Sequence, residues 1–274
     1  MSFKKLGLSG ELLNAIQAKG YSQTTPVQEK AIPFIIQGLD ILAGAQTGTG
    51  KTAAFALPIL NRLQQSKSKR RRIRALVLTP TRELASQVGD SFRDYGSNLR
   101  FKTAVIYGGV SIRTQKDKLR NGVDIVVATP GRLLDLIKRR AVKLEQLRFL
   151  VLDEADEMLN MGFKEELDAI LSHTPEEKLT WLFSATMPNE IKRIVAKYMD
   201  NPIEVKIDAQ TKVNTNIEHQ FIATKASDKT EALMRILDIN PDIRAVVFCR
   251  TKRDTQGLAE QLLGRNYKAD ALHG

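Results

Sequence analysis

Cysteine is nearly absent from this 274-residue chain, where Cys249 stands alone. A single thiol closes no internal disulfide, which fits a reducing compartment, and Cys249 is expected to be a small buried apolar residue with no redox role. Histidine is scarce too: His173, His219 and His273 lie far apart and form no HExxH or Cys/His ligand spacing, so no zinc is expected. Long apolar runs are also missing. The longest, residues 53–60, contains Pro58 and falls far short of the roughly 20 residues that span a bilayer, so no membrane association is expected. Residues 1–10 carry Lys4 and Lys5 without the apolar stretch or cleavage site of a secretory signal, which makes the expected location cytoplasmic. No repeat or low-complexity tract occurs. With 42% apolar and 27% charged residues, the composition is that of a chain able to bury a core, which excludes disorder as the main state.

Acidic residues are outnumbered, 31 against 42 basic ones, for a net charge of +11. In the absence of a basic amphipathic helix this excess favours polyanions over membranes and makes nucleic acid the leading partner class, with a solvated basic surface as the alternative. The densest basic segment, 66–74, holds Lys67, Lys69, Arg70, Arg71, Arg72 and Arg74 between a helix and a strand. It reads as a solvated connection rather than an electrostatic tether for RNA, because no aromatic residues interleave it.

Short β-branched runs at 41–45, 75–78, 103–107, 124–128, 149–152, 181–183 and 204–207 read as strands. They are near-continuous rather than alternating, the mark of strands buried on both faces, and helical patterns at 26–37, 51–63, 82–95, 132–138, 165–171 and 190–198 fall between them. The spacing predicts an α/β fold, a mostly parallel sheet flanked by helices. A polar stretch at 208–216 reads as a linker between a first domain, 1–207, and a second, 217–274. In the second, strands are expected at 219–223 and 245–249, helices at 229–237 and 253–263, and the start of another strand at 269–273. So small a set buries too little surface, and the expectation is an incomplete domain in a truncated chain.

The first strand runs into Ala45-Gln46-Thr47-Gly48-Thr49-Gly50-Lys51-Thr52 and then a helix, the context a phosphate-binding loop needs. Glycines let backbone N–H groups close around phosphate, Lys51 can reach the β and γ phosphates, and the Thr52 hydroxyl can ligate Mg²⁺. Ala45 replaces the usual first glycine, and a flexible glycine turn is the alternative reading. The strand at 149–152 delivers Asp153-Glu154-Ala155-Asp156 to the same sheet edge, where Asp153 can hold Mg²⁺ and Glu154 can polarise an attacking water. An acid-rich helix start would account for these residues if they stood alone. Ser184-Ala185-Thr186 follows the strand at 181–183 and could bond Asp153 or Asp156, or else cap the helix near Pro188.

Together with Pro80-Thr81-Arg82-Glu83-Leu84-Ala85, Gly108-Gly109, Thr129-Pro130-Gly131-Arg132 and Val246-Val247-Phe248-Cys249-Arg250-Thr251-Lys252, these motifs resemble the DEAD-box ATP-dependent RNA helicases, nearest their RhlE-like bacterial branch. The resemblance implies a RecA-like first domain and an incomplete second one, with ATP and Mg²⁺ as cofactors. It also implies an adenine-reading segment, Gly20-Tyr21-Ser22-Gln23-Thr24-Thr25-Pro26-Val27-Gln28, with Phe3 upstream. Gln28 would read adenine, since an amide donates and accepts at once, although Thr24 stands where the family has proline. Arg82, Gly109, Thr129 and Arg132 would touch RNA phosphates and sugars without regard to sequence, unless the arginines merely brace loops through ion pairs. Asp156, Ser184 and Thr186 would couple hydrolysis to strand separation. The resemblance further implies a monomer working in ribosomal or RNA-decay assemblies. It places the arginines that reach the γ-phosphate beyond Gly274, so weak turnover is expected of the chain as given. The rival readings are a P-loop ATPase acting on a protein and a non-catalytic RNA-binding truncation product.

Overall fold

Seven short runs of Val, Ile, Leu and Ala pair side by side in the computed structural model, which describes residues 1–46, 48–66, 71–206 and 218–273. Thr47, part of the basic segment and the expected linker at 208–216 lie outside the described residues. The chain divides into two compact units, Met1–Gln210 and Thr211–Gly274.

The first unit carries β1 (Ile41–Gly44), β2 (Ala75–Leu78), β3 (Thr103–Ile106), β4 (Ile125–Ala128), β5 (Phe149–Asp153), β6 (Leu179–Ser184) and β7 (Ile203–Lys206). They form one sheet in the order β3-β4-β2-β5-β6-β1-β7, every neighbour parallel. Its helices are α1 (Gly10–Ala18), α2 (Pro26–Gln37), α3 (Lys51–Gln65), α4 (Arg82–Tyr95), α5 (Ile112–Arg120), α6 (Pro130–Lys138), α7 (Ala155–Asn160), α8 (Lys164–Leu171) and α9 (Asn189–Tyr198). Successive strand residues point to opposite faces. Val77, Val127, Val151 and Trp181 enter one core with residues of α2, α3 and α4. Leu76, Val126, Leu150 and Leu182 enter a second core with residues of α6, α8 and α9. Two apolar faces are what make the inner strand sequences continuous, whereas the edge strand β7, Ile203-Glu204-Val205-Lys206, alternates.

The seven expected strands all form, with ends displaced by one or two residues. Three helices fall outside the expected set. α5 is polar nearly all round, and α7 has only six residues, too few for a period to show. In α1, by contrast, Leu12, Ala15 and Ile16 do follow Ser9 with helical spacing.

Buried charge ties the amino ends of the strands together. Asp124, before β4, accepts Arg74 Nη2 at 2.8 Å and the Lys102 backbone N–H at 3.1 Å, and the more exposed Arg71 reaches it at 3.4 Å. Removing one partner of a buried pair strands the other charge. Arg74→Met is therefore expected to cost about 3 kcal/mol of folding stability. Urea unfolding checks this, and a loss below about 1 kcal/mol would show that Arg71 compensates.

In the second unit the described residues form α10 (Lys229–Ile239) and α11 (Lys252–Leu263). The strands expected at 219–223, 245–249 and 269–273 do not form there. A strand exists only through a paired backbone, and Phe221, Val246 and Phe248 are 93%, 82% and 92% exposed, so no apolar layer holds these runs as a sheet. For the same reason Cys249 is half-buried rather than buried.

Candidate functional site

Because every strand of the sheet is parallel, all the carboxyl ends meet at one edge, where α/β sheets bind ligands. That edge has two halves. The segments after β1, β5 and β6 carry the phosphate-loop residues, the acids and Ser184–Thr186; those after β2, β3 and β4 carry Arg82, Gly109 and Arg132.

β1 ends in a loop that hands directly to α3, with Gly50 at the helix start in the left-handed region, φ 88°. A Cβ at Gly50 would stand 2.5 Å from Gln28 Nε2, so glycine is required both by conformation and by contact. The Ala45 N–H donates to the Ser184 carbonyl at 3.1 Å, which extends the β1–β6 ladder and holds the start of the loop. Thr49 Oγ1 donates to the Gln46 carbonyl at 2.7 Å, closing the turn, and Gly48 also has positive φ. Ala45 is buried at this position.

Lys51, in the first turn of α3, is 6% exposed, and its Nζ lies 3.7 Å from both Asp153 Oδ1 and Glu154 Oε1. These distances are ion contacts, too long for hydrogen bonds. Asp153, the last residue of β5, is 2% exposed, and its Oδ1 has no hydrogen-bond partner. Burial pushes the Asp153 carboxyl up to about 6, with Lys51 opposing and Glu154 adding to the rise. Glu154 makes the junction to α7 at φ 53°, a left-handed conformation that a non-glycine residue adopts under strain and that often marks a functional site. The orphaned Asp153 oxygen and the Thr52 hydroxyl line the same cleft, and oxygen donors of this kind suit Mg²⁺. The described residues contain no group of three or more His, Cys, Asp or Glu able to hold a metal. The ion would accordingly keep waters and take phosphate oxygens, as Mg²⁺ commonly does.

Asp156 turns away from this pair and is met by Ser184 and Thr186. Its Oδ2 accepts the Thr186 N–H at 2.9 Å and the Thr186 hydroxyl at 2.8 Å, while Ser184 Oγ accepts the Asp156 N–H at 3.3 Å. Burial works against the Asp156 charge, but the bonds from Thr186 and Ser184 outweigh it and hold the carboxyl below its usual range. Of the two acids expected to bond this tripeptide, only Asp156 does. The segment does not cap α9, which begins at Asn189 with Pro188 before it.

Phe3, Tyr21 and Gln28 line one cleft of about 480 Å³ with Gly48, Gly50, Lys51, Thr52, Asp153 and Glu154. Phe3 is buried and Tyr21 is 46% exposed. Gln28 has structural tasks as well: Oε1 accepts the Thr25 N–H at 3.0 Å, the capping bond that Thr-x-x-Gln spacing at a helix start signals, and Nε2 donates to the Gly50 carbonyl at 3.1 Å, a contact that local sequence does not disclose. Each amide atom keeps one bonding position for a base. α4 supplies another wall through Leu84, Gln87, Ser91 and Tyr95, at the three- and four-residue steps of one helix face. That period was the signal that could have identified them.

On the other half of the edge, Arg82 lies against Gly109, where a Cβ would come within 2.1 Å of Nη1; Gly109 has φ 85°. Arg132 Nη1 donates to the Val110 carbonyl at 3.0 Å, so both guanidinium groups flank the 108–110 loop. Among the described residues neither arginine pairs with a carboxylate, which removes the loop-bracing ion pair as an account of them. Thr129 is 8% exposed, and its N–H donates to the Ile106 carbonyl, extending the β3–β4 ladder beneath this surface. Thr47 lies outside the described residues.

Residues 25–194 match the family model of the DEAD/DEAH box helicases. The chain is 44% identical over 273 residues to the DEAD-box ATP-dependent RNA helicase RhpA of Helicobacter pylori, covering 100% of this chain and 55% of that protein. It is 45% identical over 274 residues to the DEAD-box ATP-dependent RNA helicase CshA of Streptococcus pneumoniae, covering 100% of this chain and 52% of CshA. The chain thus spans about half the length of the curated relatives it matches. The crystal structure of a DEAD box protein from the hyperthermophile Methanococcus jannaschii superposes with a TM-score of 0.70 at 42% identity, over 100% of this chain and 73% of that one.

Proposed function

Because the chain belongs to the DEAD/DEAH box helicase family, we propose that its protein couples ATP binding and hydrolysis to local separation of RNA duplexes or remodelling of RNA–protein assemblies. The observation that carries the proposal is Lys51 facing Asp153 and Glu154 at the floor of a cleft whose wall is Gln28. In this reading Gln28 reads adenine, the 45–52 loop wraps the phosphates and Lys51 pairs with the β and γ groups. Thr52 and Asp153 would hold Mg²⁺, which supplies Lewis-acid neutralisation of phosphate charge. Glu154 orients water for in-line attack on the γ phosphorus and accepts its proton as the bond to the β–γ bridging oxygen breaks. Asp156, Ser184 and Thr186 form the coupling element, since their hydrogen bonds join the acid segment to the end of β6.

Arg82, Gly109, Thr129 and Arg132 form the RNA side of the proposal, with Arg82 and Arg132 on phosphates and Thr129 shaping the floor. Placement in the RhlE-like branch, a monomeric state, work on ribosomal or RNA-decay assemblies and a cytoplasmic location belong to the same proposal. No helix among the described residues is long and apolar enough to cross a membrane.

Two variants test the two halves. Gln28→Ala is expected to abolish a preference for ATP over GTP and to weaken ATP by about 1–3 kcal/mol, since it leaves adenine unread and releases the Gly50 carbonyl. Competition of ATP and GTP against a fluorescent nucleotide reads this, and a preference retained by the variant would contradict the role of Gln28. Arg82→Ala is expected to weaken single-stranded RNA of any sequence and to lower the salt slope by about 0.7, the loss of one phosphate contact. Fluorescence anisotropy at several salt concentrations measures it; an unchanged slope would remove Arg82 from the RNA surface.

A further inference from the structure

The described basic residues before β2, Arg71, Arg72 and Arg74, take no part in the site above, because they lie at the opposite, amino edge of the sheet. Arg71 and Arg72 line a recess of about 290 Å³ there with Arg140 and Lys143, over a floor that includes Ile73 and Val123. All four cations are exposed. Glu145 is the one carboxylate lining the recess, and among the described residues it pairs with none of them. Arg71 alone has an acidic partner, the buried Asp124 at 3.4 Å. Ser66 lines a second recess with Arg62, Arg148, Lys178 and Glu177.

Two separate chain segments, 71–72 and 140–143, therefore bring four cations to one recess at this edge, and among the described residues Arg72, Arg140 and Lys143 have no acidic partner. Their mutual repulsion is relieved by a polyanion, and guanidinium forks match phosphate oxygens. No aromatic side chain lines the first recess, which removes base stacking and leaves the sugar–phosphate backbone as what it can hold. We infer that the amino edge of the sheet is a second RNA-backbone surface, which holds a strand flanking the one at Arg82 and Arg132. This rests on the RNA reading proposed above. β2 and β4 are four residues long, so about 13 Å of strand separates the two edges, and only an RNA longer than the primary site requires reaches both.

The test is the triple variant Arg72→Gln/Arg140→Gln/Lys143→Gln, with Arg82→Ala in parallel. Fluorescein-labelled oligouridylates of about 30 and about 8 nucleotides serve as probes, the shorter falling within the roughly 4–16 nucleotides that one binding groove covers. The triple variant is expected to bind the long RNA at least tenfold more weakly near 0.1 M salt, with a salt slope lower by about 2. Binding of the short RNA, and ATP turnover stimulated by it, should stay at the wild-type level. Wild-type affinity and slope for the long RNA in the triple variant would overturn the inference, while Arg82→Ala still weakening both RNAs would leave the proposed function standing. Equal competition by polyglutamate would overturn the assignment to RNA. If the wild-type chain binds neither RNA, the failure lies in the RNA reading itself.

Discussion

Replacing Glu154 by Gln is expected to lower RNA-stimulated phosphate release from ATP by about 10²–10⁴ while ATP still binds. The two acids at the end of β5 differ in a way that assigns their work. Asp153 is 2% exposed with an orphaned oxygen, and the Glu154 side chain is 20% exposed, open enough to meet a water. The amide keeps the shape of the carboxylate and tolerates the same left-handed backbone, so the fold and the floor of the cleft should be unchanged. One negative charge facing the phosphates is removed, which favours ATP binding. Phosphate release by the intact protein at saturating RNA, read beside an ATP titration, separates the two effects. Retained turnover would move the base elsewhere.

Lys51→Ala acts on binding instead. A charge-assisted contact to phosphate contributes about 1.5–3 kcal/mol, so ATP affinity should fall by about 10- to 150-fold. The loss is compounded within the protein. Lys51 is the cation that opposes the rise of the buried Asp153 carboxyl. Without it, burial and Glu154 act on Asp153 with less opposition, and its ionised form is disfavoured further. Lys51→Met retains most of the buried stem and separates lost packing from lost charge. A fluorescent-nucleotide titration in Mg²⁺ checks both variants, and wild-type affinity in either would mean that the phosphates lie elsewhere.

The sheet was legible because burial on both faces writes itself into sequence as short continuous apolar runs, as in 75–78 and 125–128. The phosphate loop and the acids could be read because their chemistry demands fixed residue types at fixed places between a strand and a helix. Local sequence is silent where a contact joins distant segments. The bond from Gln28 to the Gly50 carbonyl spans 22 residues, and that from Thr186 to Asp156 spans 30. The motif at 80–85 ends one turn into α4, so Gln87, Ser91 and Tyr95 of the cleft wall carry no motif of their own. At 219–223 and 245–249 the same apolar pattern that marks strands in the first unit accompanies exposed, unpaired backbone. A pattern states which residues suit a sheet and does not supply the neighbouring strands.

The two halves of the carboxyl edge are expected to work together, nucleotide on one and RNA on the other. The measurement that tests it most directly is phosphate release from ATP by the intact protein, with and without single-stranded RNAs of unrelated sequence. Release should rise with every RNA to a similar extent, and the stimulation should fall as salt increases. Release that is indifferent to RNA, or stimulated by one sequence alone, would contradict the account.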